Sequence, residues 1–247
     1  MIGGGLLYND FSAFYDDFAY DIPYGKFKDY YEKIFKRFKI KPEIVLDMCC
    51  GTGSLTLEMS KNYDMIGIDS SVSMLDIARN KDKSGKILFI CQKMEDFELY
   101  GTVDCAYSSL DSINYLLDDE SLKKHFLLMH NYLIPNGLYV FDISTAYKFR
   151  NILSDNVFTD ETENAFFVWQ NEYENGFNTM YLDVFAKNKD MYERISEIHT
   201  EKAYSPSKVK SLAKKCGFSV LGVYDEFSFN APSRTSQRIF FVLKCIK

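Results

Sequence analysis

The chain has 247 residues, enough for one large core or for one domain with a cap, and 47% of them are hydrophobic, as in an ordinary soluble globular protein. Its formal net charge of −6 argues against a nucleic acid substrate, because neutralising phosphates with Lys and Arg supplies much of that affinity. No apolar stretch approaches the roughly 18 residues of a membrane span, and the start, MIGGGLLYNDF, lacks the basic region and long apolar core of a secretory signal, so a cytoplasmic protein without membrane contact is expected.

The first 25 residues are dense in rings: Tyr8, Phe11, Phe14, Tyr15, Phe18, Tyr20 and Tyr24. They suit a lid, or a helix that simply packs its aromatics on the domain. Phe27, Tyr30, Tyr31, Ile34, Phe35 and Phe38 then recur at helical spacing, which predicts a helix over about 26–39 whose apolar stripe packs while its lysines face water rather than RNA. Residues 1–40 are read as an N-terminal helical lid. Ile44, Val45 and Leu46 form the short apolar run of a parallel strand covered on both faces (43–48). Gly51 and Gly53 let the backbone turn tightly and a ligand approach it, and Ser54 is placed to cap a helix over 54–61. The next run, YDMIGID (strand 63–68), ends on Asp69, 18 residues beyond Gly51. That is near the spacing of about 20 at which such an acid reaches a ribose diol.

Helices at 71–80 and 118–133 and strands at 86–91, 103–108 and 137–143 continue the alternation, with Asn136-Gly137 as the turn into the last. A right-handed parallel sheet follows. Between Asn156 and Ala203 the pattern changes to short aromatic and β-branched runs, AFFVWQNEY, NTMYLDVFAK and MYERISEIHTEKAY. This predicts an antiparallel meander (insertion 151–203), too short for an independent domain. Because it leaves from the carboxyl edge of the parent sheet, where ligands bind in open α/β folds, it is expected to cap the ligand pocket there. A structural or dimerising sheet, and hence a homodimer, is the alternative. Ser205-Pro206-Ser207 starts a helix to Cys216 that Gly217 stops, and Phe218–Phe229 and Gln237–Cys245 should pair antiparallel. Residues 41–150 and 204–247 thus form the nucleotide-binding domain. The six cysteines (49, 50, 91, 105, 216 and 245) show no CxxC pair and accompany only three histidines, so reduced, packed thiols and no metal site are expected.

The strand-turn-helix and its acid point to an adenosine cofactor. The dinucleotide fingerprint wants a third glycine where Thr56 stands, and Asp47 in the turn would repel a pyrophosphate but could hold an ammonium group. A nicotinamide-dependent oxidoreductase and a non-catalytic adenosine-binding module stay open as rival readings.

Asp47-Met48-Cys49-Cys50-Gly51-Thr52-Gly53 resembles the first motif of the class I S-adenosylmethionine-dependent methyltransferases, acid-x-G-x-G-x-G, with Cys49 replacing the first glycine. Ser73-Met74-Leu75 matches the family's helix after the ribose acid. Met94-Glu95-Asp96-Phe97 stands where the family places its adenine contact, although Lys93 precedes it where relatives often carry an acid, so the contact is expected from the backbone around Met94 and Glu95 or from the side chain of Asp96. Ser108 to Leu116, SSLDSINYL, resembles bacterial methyltransferases that read D-S-x-N-Y here, and more distantly the sugar N,N-dimethyltransferases. The resemblance implies an α/β, Rossmann-like, seven-stranded sheet with a reversed last strand, bearing the small antiparallel insertion. It implies S-adenosyl-L-methionine as cofactor, held by Asp47, Cys49, Gly51, Thr52, Gly53, Asp69, Ser70, Met74, Met94, Glu95 and Leu110. It also implies methyl transfer to a small-molecule acceptor, an amine or a hydroxyl, with RNA or protein as the alternative acceptor. Strand four ends beside the transferable methyl in this fold, so Asp111, Asn114 and Tyr115 could face the acceptor, while Asp111 as a helix cap and Tyr115 as packing remain alternatives. Tyr15 could orient the substrate, and His199 or Glu197 could take a proton from it. His199, flanked by Glu197 and Glu201, reads more readily as a paired surface residue.

Overall fold

The computed structural model describes residues 11–247; Tyr8 and the first ten residues of the expected lid lie outside them. Five parallel strands, β1 (Ile44–Met48), β2 (Asp64–Asp69), β3 (Leu88–Cys91), β4 (Val103–Ser108) and β5 (Leu133–Ser144), are joined by β10 (Phe218–Asp225) and β11 (Arg238–Cys245). Their order is β10-β11-β5-β4-β1-β2-β3. β11 runs antiparallel to both its neighbours, which is the expected reversed strand. β1 lies between β2 and β4, so the strand order reverses beside it and a crevice opens at the carboxyl ends there.

Adjacent residues of β1 serve opposite layers. Val45 packs with Phe27, Tyr31 and Ile34 of α2 (Tyr24–Arg37) and Met59 of α3 (Ser54–Met59). Leu46 belongs to the other layer, with Phe126 and Met129 of α5 (Asp119–Tyr132) and Val209 of α7 (Pro206–Lys215). This is why the strand reads as a continuous apolar run. The apolar stripe of α2 is buried as its spacing predicts.

Two local expectations are corrected. Ser54 opens α3 but does not cap it: Gly53 holds the cap position at φ +74°, and a Cβ there would meet that of Ala78 in α4 (Val72–Lys81) at 2.9 Å. β5 begins at Leu133 rather than 137, because Leu133 already pairs with Val103 across a register shift that Asn136 (φ 67°) accommodates.

After β5, α6 (Ala146–Lys148) and one π-helical turn lead into a separate four-stranded antiparallel sheet, β6 (Val157–Glu161), β7 (Ala165–Glu174), β8 (Phe177–Asn188) and β9 (Met191–Lys202), in sequential order. β6, whose run VFTDE alternates weakly, adds a fourth strand to the three expected. Asn175 and Gly176 both take positive φ in the two-residue β7–β8 turn, which is the demand of a type I′ hairpin. α1 (Ser12–Phe18) packs Phe14 into the inner face of this sheet with Phe11, Phe167, Leu182 and Val184, and so joins the insertion to the nucleotide domain.

Candidate active site

The crevice is built by the turn after β1. Cys49, Gly51 and Gly53 all have positive φ, so three of five residues turn the backbone in the left-handed sense. Asp69, at the end of β2, accepts from the Gly51 N–H at 2.8 Å on one oxygen and from the Ser71 N–H at 2.9 Å on the other. A carboxylate has about four acceptor sites, so both oxygens keep capacity for a diol. Burial raises its pKa, and the Ser71 and Gly51 donors pull it back. Asp47 lies deeper. Its Oδ2 accepts from Thr56 (2.6 Å) and Tyr107 (2.9 Å), bracing the turn against α3 and β4, and burial pushes its pKa to about 7 against those two donors.

Beside the turn lies a cleft of about 390 Å³ lined by Cys49, Ser70, Gln92, Met94, Glu95 and Leu117, among others. Its floor is held from below. Buried His125 of α5 donates through Nδ1–H to the Met94 carbonyl at 2.8 Å, since a carbonyl can only accept. Nε2 therefore accepts from the Tyr139 hydroxyl (2.7 Å), whose oxygen accepts from Ser108 at the end of β4 (2.7 Å). Burial lowers the His125 pKa to about 4 and keeps the ring neutral. The loop after β3 and the loop after β4 are thus set by one hydrogen-bonded chain. Met74 sits in the first turn of α4, where Ser71 caps its N–H at 3.2 Å. Asp96 points away, 77% exposed and paired with Lys124.

α1 covers the turn. Asp16 accepts from Thr52 Oγ1 at 2.7 Å and pairs with Lys81 at 2.5 Å, while Lys81 also reaches Ser54 at 2.9 Å. Thr52, named above among the residues that would hold the cofactor, therefore has its hydroxyl committed to α1. Tyr15, one residue earlier, lies within electrostatic reach of both Asp69 and Asp111; burial, then Tyr24 and these acids, push its hydroxyl pKa upward.

The end of β4 and the insertion meet across a polar junction. Leu110 and Asp111, both at positive φ, donate their N–H groups to the two oxygens of buried Asp142 at 3.0 and 2.9 Å. Arg238 pairs with Asp142, with Asp111 (3.7 Å) and with Glu226 (3.3 Å). Asp111 also pairs with Lys148 at 3.4 Å and accepts from Ser144. Burial alone would raise its pKa, yet the Arg238 and Lys148 charges hold it below the usual carboxylate range. Asp111 makes no side-chain cap of the 3₁₀ turn it precedes. Asn114 faces the backbone instead of an acceptor: it donates to the Ser144 and Lys202 carbonyls and accepts from the Ser144 N–H, tying the insertion to β5. On β9, Glu197, His199 and Glu201 fall on one face by alternation. His199 contacts Glu197 at 3.0 Å through Nε2 and Tyr115 at 3.4 Å through Nδ1. Glu197 accepts from the Phe11 N–H at 3.3 Å, so β9 is tied to the start of α1.

The structure thus gathers Cys49, Gly51, Asp69, Ser70, Met94 and Glu95 around one crevice, and Tyr15, Asp111, Tyr115 and His199 around the junction next to it. His125, Asp142, Lys148 and Arg238 were missed by sequence reading; each is a lone polar residue in an apolar or mixed stretch. Glu201 was seen only as a flank of His199, although the alternation on its strand marks it as inward.

Comparison with known proteins agrees with this geometry. A sequence profile described as a methyltransferase domain matches residues 45–137. A relative from Geobacillus sp. (strain WCH70), named as a candidate methyltransferase, is 30% identical over 97% of this chain and 100% of its own length. The crystal structure of an S-adenosylmethionine-dependent methyltransferase from Clostridium acetobutylicum ATCC 824 superposes with a TM-score of 0.88 at 29% identity, covering 97% of this chain and 99% of that one. The sugar N-methyltransferase KedS8 from Streptoalloteichus sp. ATCC 53650 shares the fold, with a TM-score of 0.81 at 17% identity over 100% and 99% of the two chains. The chain belongs to the class I S-adenosylmethionine-dependent methyltransferases, and its cofactor is S-adenosylmethionine.

Proposed function

We propose that this methyltransferase acts on a small-molecule acceptor, an amine in preference to a hydroxyl, in the cytoplasm and without nucleic acid or membrane partners. The observation that carries this reading is the junction between the end of β4 and the inner face of the insertion, where the carboxyls of Asp111, Asp142, Glu197 and Glu201 outnumber the cations Lys148 and Arg238. Such a wall favours a cation and opposes a phosphate-bearing acceptor. The likeness to KedS8, a sugar N-methyltransferase, supports the amine reading.

In this reading the cofactor supplies a methyl group on a positively charged sulfur. The chain's own residues bind, orient and exclude water. Asp69 holds the ribose hydroxyls, Asp47 attracts the ammonium end of the methionine moiety, and the backbone of Met94 and Glu95, fixed by His125, meets the adenine. Cys49, Ser70, Met74 and Leu110 complete the walls of the site, and Gly51, Thr52 and Gly53 shape the turn. Tyr15 stays a neutral hydroxyl between the ribose acid and the acceptor side, where its ring offers cation–π attraction of about 0.5 to 2 kcal/mol. α1 serves as the lid, the four-stranded sheet (within 151–203) as the cap, and Tyr115 and His199 line the acceptor side. Positioning the nucleophile against the methyl carbon supplies most of the rate.

The test is turnover, read as adenosylhomocysteine release against a panel of small amines, hydroxy acids and amino sugars. Release with amines supports the proposal. Release with the hydroxy acids alone, or with RNA or protein substrates added to the panel and none of the small molecules, overturns it.

A further inference from the structure

The junction is unbalanced in charge and in hydrogen bonds. Two cations, Lys148 and Arg238, face four carboxyls: Asp111, Asp142, Glu226 and Glu201. The first three are paired with those cations, whereas Glu201 forms no such pair among the described residues and is only 9% exposed. Its Oε2 accepts from Asn178 Nδ2 at 3.2 Å, and the same amide group donates to Asn171 at 3.2 Å. Asn178 and Asn171 are 1% and 3% exposed, yet among the described residues nothing reaches Asn178 Oδ1 or Asn171 Nδ2. Native interiors rarely leave such atoms unsatisfied, and a buried carboxyl without a cation is costly once ionised. An acceptor oxygen on Asn178 beside a carboxyl is an acceptor set for one kind of guest, a group bearing several N–H bonds and a positive charge.

We propose that Glu201, with Asn178 Oδ1 beside it, seats the ammonium group of the methyl acceptor and takes its proton. This rests on the amine reading above and names the residue that executes it. The proton leaves the ammonium nitrogen for a Glu201 oxygen and the nitrogen keeps the lone pair. That pair then forms the bond to the methyl carbon, while the electrons of the broken carbon–sulfur bond stay with sulfur.

The surroundings suit such an exchange. Burial, and then the Asp111 charge, push the Glu201 pKa up to about 8, while Lys148, Asn178 and Arg238 act in the opposite sense. Tyr115 of the 3₁₀ turn faces it from the β4 side. On the same face of its strand His199 contacts Glu197 and Tyr115, and Glu197 accepts from the Phe11 N–H at the start of α1. A cation arriving beside Glu201 ionises it and releases its proton to solvent. The carboxylate then stands ready to remove one from the guest.

Sinefungin tests this without knowledge of the acceptor, because it carries an ammonium-bearing carbon where the cofactor has its methyl sulfonium. Calorimetric titration of the full chain with sinefungin and with adenosylhomocysteine, in two buffers of different ionisation enthalpy at pH 7.5, yields both affinities and proton counts. The wild type should prefer sinefungin and release a fraction of a proton with it that adenosylhomocysteine does not release. In Glu201→Gln the preference should fall about tenfold and the extra proton disappear, with the adenosylhomocysteine Kd changed less than twofold. If both analogues bind but preference and proton count are the same in the two proteins, Glu201 does not have this role, and the methyltransferase reading stands. If neither binds the wild type, that reading fails and this one with it. Should Glu201→Gln not fold, the wild-type proton count decides alone: equal counts for the two analogues overturn the proposal.

Discussion

The crevice and the junction solve different problems with different parts. At the crevice the backbone does most of the work: positive φ at Cys49, Gly51 and Gly53 and two N–H groups aim one carboxylate, all within residues 49–71. At the junction the work falls to side chains drawn from β5, α6, β9, β11 and the loop after β4, and the Asp111–Arg238 pair spans 127 residues of chain. A nucleoside common to a whole family can be met by a local motif. An acceptor that differs between relatives is met by separate segments that can change one at a time.

Arg238→Met should separate the two regions most strongly. It strands Asp142, which is fully buried, and leaves Asp111 with Lys148 alone. A loss of about 3–5 kcal/mol is expected by denaturant unfolding; a loss under about 1 kcal/mol would mean that the junction is not held by its charges.

The chain through His125 joins the regions and gives a pH signature. The folded imidazole resists protonation until about pH 4, whereas the unfolded one accepts a proton near 6.5. Stability from this group is therefore complete above about 6.5 and lost as pH falls toward 4, to a total of about 3 kcal/mol. Asp47 and Glu201, whose pKa values are raised, act in the opposite direction over pH 4 to 8, so the difference between wild type and His125→Gln isolates the effect. A difference that does not change between pH 7 and 4.5 would remove His125 from this role.

Asp69→Ala sharpens the crevice side. Losing two ribose hydrogen bonds should weaken adenosylhomocysteine binding by about 1.5 to 3 kcal/mol with the fold intact, and an unchanged Kd would reject that assignment. The smallest effect is expected from Asp16→Ala, which cuts the tie from α1 to Thr52 and Lys81. Stability should move by less than about 1 kcal/mol for so exposed a pair. Adenosylhomocysteine should dissociate severalfold faster in stopped flow; an unchanged rate would deny α1 its part as a lid.

What was legible in the sequence follows the same division. The parallel strands, the reversed β11 and the crevice were readable because periodicity, Gly51, Gly53 and Asp69 are local signals. Asn114 looked like an acceptor contact because its motif is local too, but its amide is spent on two backbone carbonyls brought together only by the fold. Ser54 looked like a cap until Lys81 and Asp16 claimed its hydroxyl. Arg238, Lys148 and Asp142 carry no pattern at all, since what makes them a site is proximity between strands distant in sequence. Glu201 could have been found: strand alternation puts it inward with Glu197 and His199, and an inward acid without a neighbouring cation in register invites a ligand.

The most direct measurement is a crystal structure of the chain with adenosylhomocysteine. The ribose hydroxyls should lie on Asp69, the adenine against Met94 and Glu95, and the sulfur should point toward the space between Tyr15 and Asp111. A nucleoside bound anywhere else, or bound in the crevice without contact to Asp69, would contradict the account.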